Sequence, residues 1–255
     1  MYLGIDIGGT KTLVALFNKR GRIIRRTKFR TDLQYEKFLS DLIGVLKKYS
    51  TSPVKAVTMA IPGVVQKNCS VTFGNRNWGV VDLYMPIKSM FACPVYVEND
   101  ANLGAAYESC RLPGKTIFLT FSTGIGGGIA VRGKILPESS DFEPGHKIYT
   151  LGNVTAEWED IAAASALEKY FQITPATDIR GKTAMKEVAR RVALGLPEIV
   201  SEYHPRTIVL GGPLGKIFKL YVKYLPKFNV KYRRPRRPLE SVIYGCYLHS
   251  KRNSK

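Results

Sequence analysis

Three short clusters hold most of the side chains able to do chemistry. Asp6-Ile-Gly-Gly-Thr-Lys11 sets a carboxylate, two glycines, a hydroxyl and an ammonium group side by side. Glycines let backbone N–H groups approach an anion, Thr10 and Lys11 add donors, and Asp6 can hold a magnesium ion directly or through water. Asp6, Gly8, Gly9, Thr10 and Lys11 are therefore candidate phosphate ligands, with an ordinary hairpin turn as the alternative. The spacing is not that of a P-loop. A second cluster, Ser122-Thr-Gly-Ile-Gly-Gly-Gly128, repeats the logic through Thr123, Gly124, Gly126 and Gly127, and a pair of such loops could grip a phosphate chain from two sides. Gly211-Gly212-Pro213 offers a third close approach, suited to the flat face of a base.

Glu98-Asn-Asp100 stands just past a strand-like segment and opens a helix-like one. A carboxylate here can take the proton of a hydroxyl, which phosphoryl transfer to an alcohol requires of its base. An Asp or Asn at that position also caps helices, and the two roles stay open on the residues alone. Glu143-Pro-Gly-His146 and Glu159 are further polar candidates, and neither is specific by itself.

The elements that must position these groups follow from periodicity. Residues 3–17 read as strand, glycine turn, strand, and Ile23–Arg30 as a third strand whose face of Arg22, Arg26, Lys28 and Arg30 suits a sheet edge. A helix over 36–49 carries Phe38, Leu39, Leu42, Ile43, Leu46 and Tyr49 on one stripe. Strands at 54–61 and 94–97 and a helix at 101–110 follow. After the hinge-like Leu112-Pro-Gly-Lys115, a strand at 116–121, the glycine loop 122–128 and a strand at 129–132 restart the pattern, roughly 115 residues after the first, as in a repeat. Helices at 157–171 and 182–203, the latter interrupted near Pro197, lead to a strand at 207–210, and a last helix runs from about 238 to 251.

The composition excludes several classes. The 255 residues, 45% hydrophobic and 23% charged, suit one domain or two lobes rather than disorder or collagen. No apolar run reaches the length of a membrane span, so a soluble, cytoplasmic protein without a membrane partner is expected. The cysteines at 69, 93, 110 and 246 lack a CxxC spacing and read as reduced thiols. The net charge of +19 sits at the ends: residues 1–30 hold eight basic and one acidic residue, and residues 216–255 twelve and one. Clustered cations attract polyanions, so segments 19–30 and 216–237 could lie against polyphosphate or another polyanion. Tyr221, Tyr224, Phe228 and Tyr232, interleaved with lysines, keep open a non-catalytic nucleic-acid binder.

Together the motifs resemble the ROK family (repressors, open reading frames, kinases) of sugar kinases, within the actin-like ATPase superfamily. Asp6–Lys11 is similar to its first phosphate motif, Pro62-Gly63 to its early sugar-side loop, Asn77-Trp78-Gly79 to its asparagine region and Glu98–Asn102 to its catalytic motif. Ser122–Gly128 is similar to the second phosphate motif, Glu143-x-Gly-His146 to the sugar motif and 204–212 to the adenosine motif. The resemblance implies an α/β protein with the two-lobed, ribonuclease H-like fold around a central cleft: a first lobe over 1–112, rejoined by a helix within 238–255, and a second over 113–237. The two basic ends would then fall in one lobe.

The resemblance further implies transfer of the γ-phosphate of ATP, with Mg²⁺, to a hexose hydroxyl. Asp100 would be the base, Gly63, Asn77, Asn99, Glu143, His146 and Glu159 would bind the sugar, and the glycine loops with Gly211 and Gly212 would bind the nucleotide. A homodimer is the expected assembly. The family's zinc motif, a His followed by C-x-C-G-x-x-G-C, is missing: the corresponding stretch 150–157 has no cysteine, so a zinc site is not expected. His146 would then hold only the sugar. Ser122 stands where glycine is usual, and the chain is shortened between about 167 and 181. The repressor branch carries an amino-terminal helix-turn-helix, and the chain's start at the first phosphate strand disfavours that branch. A polyphosphate-dependent glucokinase is an alternative, whereas the Glu98 and Glu143 motifs argue against a type III pantothenate kinase.

Overall fold

A computed structural model of the chain describes residues 1–66, 70–73 and 78–254. Asn77 and Cys69, singled out above, lie outside the described residues. The chain divides into two compact units, Met1–Tyr107 with Val242–Lys255, and Glu108–Ser241.

Alternation along the first strands decides the layering of the first unit. β1 (Tyr2–Ile7) pairs antiparallel with β2 (Lys11–Phe17), which pairs antiparallel with β3 (Ile23–Arg30). Leu3, Ile5 and Ile7 face one way and bury against Phe38, Leu42 and Leu46 of α1 (Tyr35–Ser50), each contributing roughly 1.5–3 kcal/mol. β4 (Ala56–Ile61) lies parallel to β1, and a small antiparallel sheet of β5 (Gly63–Val65), β6 (Ser70–Phe73) and β7 (Val80–Asp82) follows, unforeseen from the sequence. After α2 (Tyr84–Lys88), β8 (Val95–Asn99) lies parallel to β4 and runs directly into α3 (Asp100–Ser109). The sheet order is β3-β2-β1-β4-β8. β3 is indeed an edge, with Arg22, Arg25, Arg26, Lys28 and Arg30 exposed.

The second unit repeats this plan. β9 (Lys115–Phe121), β10 (Ile125–Val131) and β11 (Lys134–Ile135) form antiparallel neighbours. A hairpin of β12 (Ile148–Leu151) and β13 (Val154–Glu157) precedes α4 (Trp158–Ala162), α5 (Ala164–Phe171), α6 (Lys182–Val192) and α7 (Leu196–Tyr203). β14 (Thr207–Gly211) then pairs parallel with β9, and α8 (Gly212–Lys216) and α9 (Phe218–Tyr221) lead to β15 (Lys231–Arg233), parallel to β14. The order β11-β10-β9-β14-β15 reproduces that of the first sheet, strand direction included. The core gathers around the fully buried Trp158, with Phe121, Ile208 and Leu210.

α10 (Ser241–Asn253) belongs, from Val242 onward, to the first unit. It covers the face of the first sheet opposite α1, where Ile243 and Cys246 meet Tyr2, Ala15, Phe17 and Ala60. Gly245 is required there, because a Cβ would stand 2.2 Å from the Leu103 carbonyl oxygen. Segment 216–237 lies in the second unit and segment 19–30 in the first; of the basic stretch 216–255, residues 242–255 belong to the first unit, so the two basic ends share a unit only in part. Only α10 crosses back; the basic run before it stays with β14 and β15.

Three expectations are corrected. The supposed loop 122–128 turns only over Ser122–Gly124, because Ile125 already pairs with Phe121 and the remaining glycines are strand residues of β10. The supposed helix 157–171 begins after a hairpin and breaks at Ala163, whose extended ψ of 159° lets the Ser165 N–H reach the Ser122 carbonyl at 3.2 Å. The break in 182–203 falls at 193–195, where Gly195 packs on Trp158, and Pro197 sits in the first turn of α7.

Candidate active site

In the first unit the parallel strands β1, β4 and β8 end at one edge of the sheet, and the candidate residues leave from those ends. The β1–β2 tip is a tight hairpin closed by Gly8 N–H to the Lys11 carbonyl at 3.1 Å. Thr31 braces it: its N–H donates to Thr10 O at 3.0 Å and its hydroxyl to Gly8 O at 2.8 Å. Gly9, half-buried, and the exposed Thr10 form the tip, and Lys11 opens β2 exposed. Asp6 shares the face of Tyr2 and Gly4, the side covered by α10. Burial pushes its carboxyl up to about 7, against the opposing pull of Lys28. A carboxyl held this way fits a cation ligand, since a divalent ion would offset the lost hydration of the charged form.

At the end of β8 the catalytic-motif residues brace one another. Glu98 Oε1 accepts the Asn99 N–H at 2.8 Å and the Asn102 side-chain amide at 3.0 Å. Asn99 is the helix cap: its Oδ1 accepts the Asn102 N–H at 3.1 Å, while its Nδ2 donates to Gly63 O at 3.1 Å. Gly63 therefore meets Asn99 through its carbonyl. Asp100, the alternative cap, instead occupies the first helical position, where Oδ1 accepts the Ala101 N–H at 2.7 Å. Asp6 and Asp100 both lie close enough to the buried Cys246 to add to the rise of its thiol pKa, which burial dominates.

In the second unit, β9 and β14 end at one edge as well. The Ser122–Gly124 turn is closed by Ser122 N–H to Gly124 O at 2.8 Å and tied to α5 by the Ser165 hydroxyl on Thr123 O at 2.6 Å. Thr123 is exposed, Gly124 and Gly126 half-buried. Gly127 is buried, and a Cβ there would stand 2.3 Å from the Phe142 ring, so its missing side chain serves packing. Gly212, at φ +67°, turns β14 into α8, where a Cβ would stand 2.3 Å from Phe121 O, and a Cβ on Gly211 would meet the Phe118 ring at 2.6 Å.

Glu159 joins the turn to the sugar-motif segment. Its Oε2 accepts the Ile125 N–H at 3.0 Å and lies where a Cβ on Gly124 or Gly145 would stand, at 2.5 and 2.7 Å. Glu143 precedes the 3₁₀ turn 144–146, and His146 ends it. Burial raises the Glu143 carboxyl, with His146 opposing and Glu159 adding. The hydrogen bond to Glu157 raises His146 most, and Glu159 and Glu143 add to it. Ligand atoms of His146, Glu157 and Glu159 fall within 4.8 Å of one another, a gathering that the sequence reading, which expected no zinc site, did not foresee.

Thr31, Ser165 and Glu157 are the residues that the sequence reading missed. Thr31 and Ser165 brace loops distant in the chain and leave no local pattern. Glu157 had a signal: Gly152-Asn153 between Ile148–Leu151 and Val154–Glu157 is a hairpin pattern.

The sequence profile described as "ROK family" matches residues 2–240. The chain belongs to the ROK family. Among ROK proteins, it is 26% identical over 241 residues to the xylose repressor of Bacillus spizizenii, covering 82% of this chain and 63% of the repressor. It is 30% identical over 158 residues to the N-acetylmannosamine kinase of Salmonella newport, covering 59% of this chain and 54% of the kinase. The chain thus spans less than two thirds of either relative. In structure it resembles the ROK glucokinase of Streptomyces griseus, solved with glucose and AMPPNP, at TM-score 0.77 and 22% identity over 96% of this chain and 97% of that one. The fold is therefore the α/β fold of the ROK, actin-like ATPase sugar kinases. Among the described residues no helix is long and apolar enough to cross a membrane.

Proposed function

We propose that this chain is a sugar kinase that transfers the γ-phosphoryl group of ATP to a hexose hydroxyl, with Asp100 as general base. The observation that carries the reading is the convergence at the strand ends of the first unit: the Asp6–Lys11 hairpin, the Gly63 carbonyl and the Asn99-capped start of α3 leave one sheet edge, the end of an α/β sheet where ligands bind. Within the second unit the candidate groups are the Ser122–Gly124 turn, the Gly211-Gly212 turn and the side chains of Glu143, His146 and Glu159.

Phosphoryl transfer depends chiefly on positioning and charge neutralisation. In the proposed reaction the Asp100 carboxylate takes the proton from the sugar hydroxyl, the oxygen bonds to the γ-phosphorus, and ADP leaves. Glu98 and Asn99 fix Asp100 by fixing the first turn of α3. Glu143, His146 and Glu159 orient the other hydroxyls, and the Gly8–Thr10 and Ser122–Gly124 turns direct N–H groups to phosphate oxygens. Asp6 would hold Mg²⁺, directly or through water, and that ion supplies charge neutralisation on the phosphates. Glucose, mannose and N-acetylated hexosamines are the candidate acceptors, and ADP release across that panel tests the reading. ATP-dependent formation of a sugar phosphate supports it.

A second reading, a sugar-responsive regulator, is favoured by the xylose repressor relatives. Saturable sugar binding without any ADP formation would select it.

A further inference from the structure

We infer that Glu157 is a positioning residue for His146, a carboxylate that fixes the imidazole by a direct hydrogen bond. The inference rests on the reading above that His146 contacts the acceptor sugar. His146 Nδ1 lies 2.9 Å from Glu157 Oε2. That is the length of a charge-assisted N–H···O bond, and shorter than the separation of roughly 3.3 Å expected between two ligand atoms each about 2.0 Å from a tetrahedral metal ion. An acceptor at Nδ1 holds the ring in the Nδ1–H tautomer, which leaves Nε2 as a hydrogen-bond acceptor for a hydroxyl proton.

The chain presents Glu157 rigidly. It ends β13 opposite Ile148, and the Trp158 N–H donates to Lys147 O at 2.8 Å, locking the hairpin to the segment that carries His146. Trp158 itself is fully buried, with its indole N–H on Arg191 O at 3.1 Å. On the other side Lys147 pairs with Glu198 and Glu202, and the Tyr149 hydroxyl donates to Glu198 Oε2 at 2.6 Å. His146, by contrast, stands on a short 3₁₀ turn with its side chain 60% exposed. Nothing but a side-chain partner would keep such a ring in one orientation. The exposure of the pair also means that its contribution to folding is small, so its worth lies in orientation.

The test uses the full chain with Glu157→Ala and Glu157→Gln, compared with His146→Ala. The inference expects Glu157→Ala to raise the KM for the sugar about 5- to 20-fold with kcat changed by less than about threefold, and Glu157→Gln, whose amide oxygen still accepts from Nδ1, to fall between it and the parent. Long-range ¹H–¹⁵N spectra of the imidazole should show the Nδ1–H tautomer in the parent at about pH 8 and its loss in Glu157→Ala. An unchanged tautomer, or an unchanged KM in Glu157→Ala while His146→Ala raises it, overturns the inference. One equivalent of a divalent metal in the purified protein, lost in Glu157→Ala, also overturns it, because the ion would then orient the ring. A neutral His146→Ala overturns the sugar-contact reading itself, and so separates the two failures.

Discussion

Replacing Asp6 by asparagine should stabilise the first unit, and increasingly so as the pH rises. The carboxyl is lifted from an ordinary 3.8 to about 7 by burial on the α10 face of β1. The unfolded chain releases this proton near pH 4, whereas the folded chain keeps it to about pH 7. The folded state therefore loses ground through that window and levels off above it. At about 1.36 kcal/mol per unit, three units correspond to about 4 kcal/mol, and the partial exposure of Asp6 brings the expected loss to about 2–4 kcal/mol. Asparagine has the same shape and no proton to lose. Urea unfolding followed by tryptophan fluorescence reads the effect, since Trp78 lies in that unit. The variant and the parent should match near pH 4 and diverge by about 2–4 kcal/mol at pH 8, and the same variant should lose turnover with Mg²⁺ and ATP. A stability difference that is the same at every pH would refute the buried carboxyl and, with it, the reason given for a cation at Asp6.

Two further outcomes are expected. Glu108 is 1% exposed and accepts from the Arg236 N–H at 3.2 Å and the Ser241 hydroxyl at 2.7 Å, with Arg236 Nε at 3.5 Å, so Glu108→Ala should lower unfolding stability by about 2–4 kcal/mol in urea titrations, and a change under about 0.5 kcal/mol would contradict it. Polyphosphate should act as a donor or a competitor of ATP at low salt, weakening steeply as salt is added, with Lys28→Gln and Arg30→Gln on the exposed edge of β3 reducing it, and rates at background in low salt would remove the polyanion role.

Much of the architecture was legible because it repeats. A strand, a glycine turn and a strand, met twice, implied twin sheets, and the cationic alternation of 23–30 marked an edge. Misreadings came where glycine served packing. Gly127 looked like loop but is strand, because Phe142 takes the volume that a side chain would occupy. Thr31 and Ser165 were invisible because each meets its loop across a long stretch of sequence, through backbone carbonyls that any residue possesses. Glu157 was passed over because the stretch was read for the cysteines it lacks. Asn99 and Asp100 show the gain from structure: the sequence left cap and base as rival roles for one carboxylate, and the fold assigns the cap to Asn99.

The central claim is tested most directly by turnover in Asp100→Asn. With the acceptor sugar found from the panel, the variant should keep its fold and its sugar affinity while kcat falls about 10²- to 10⁴-fold, the range for removing a general base. Turnover near that of the parent would contradict the account.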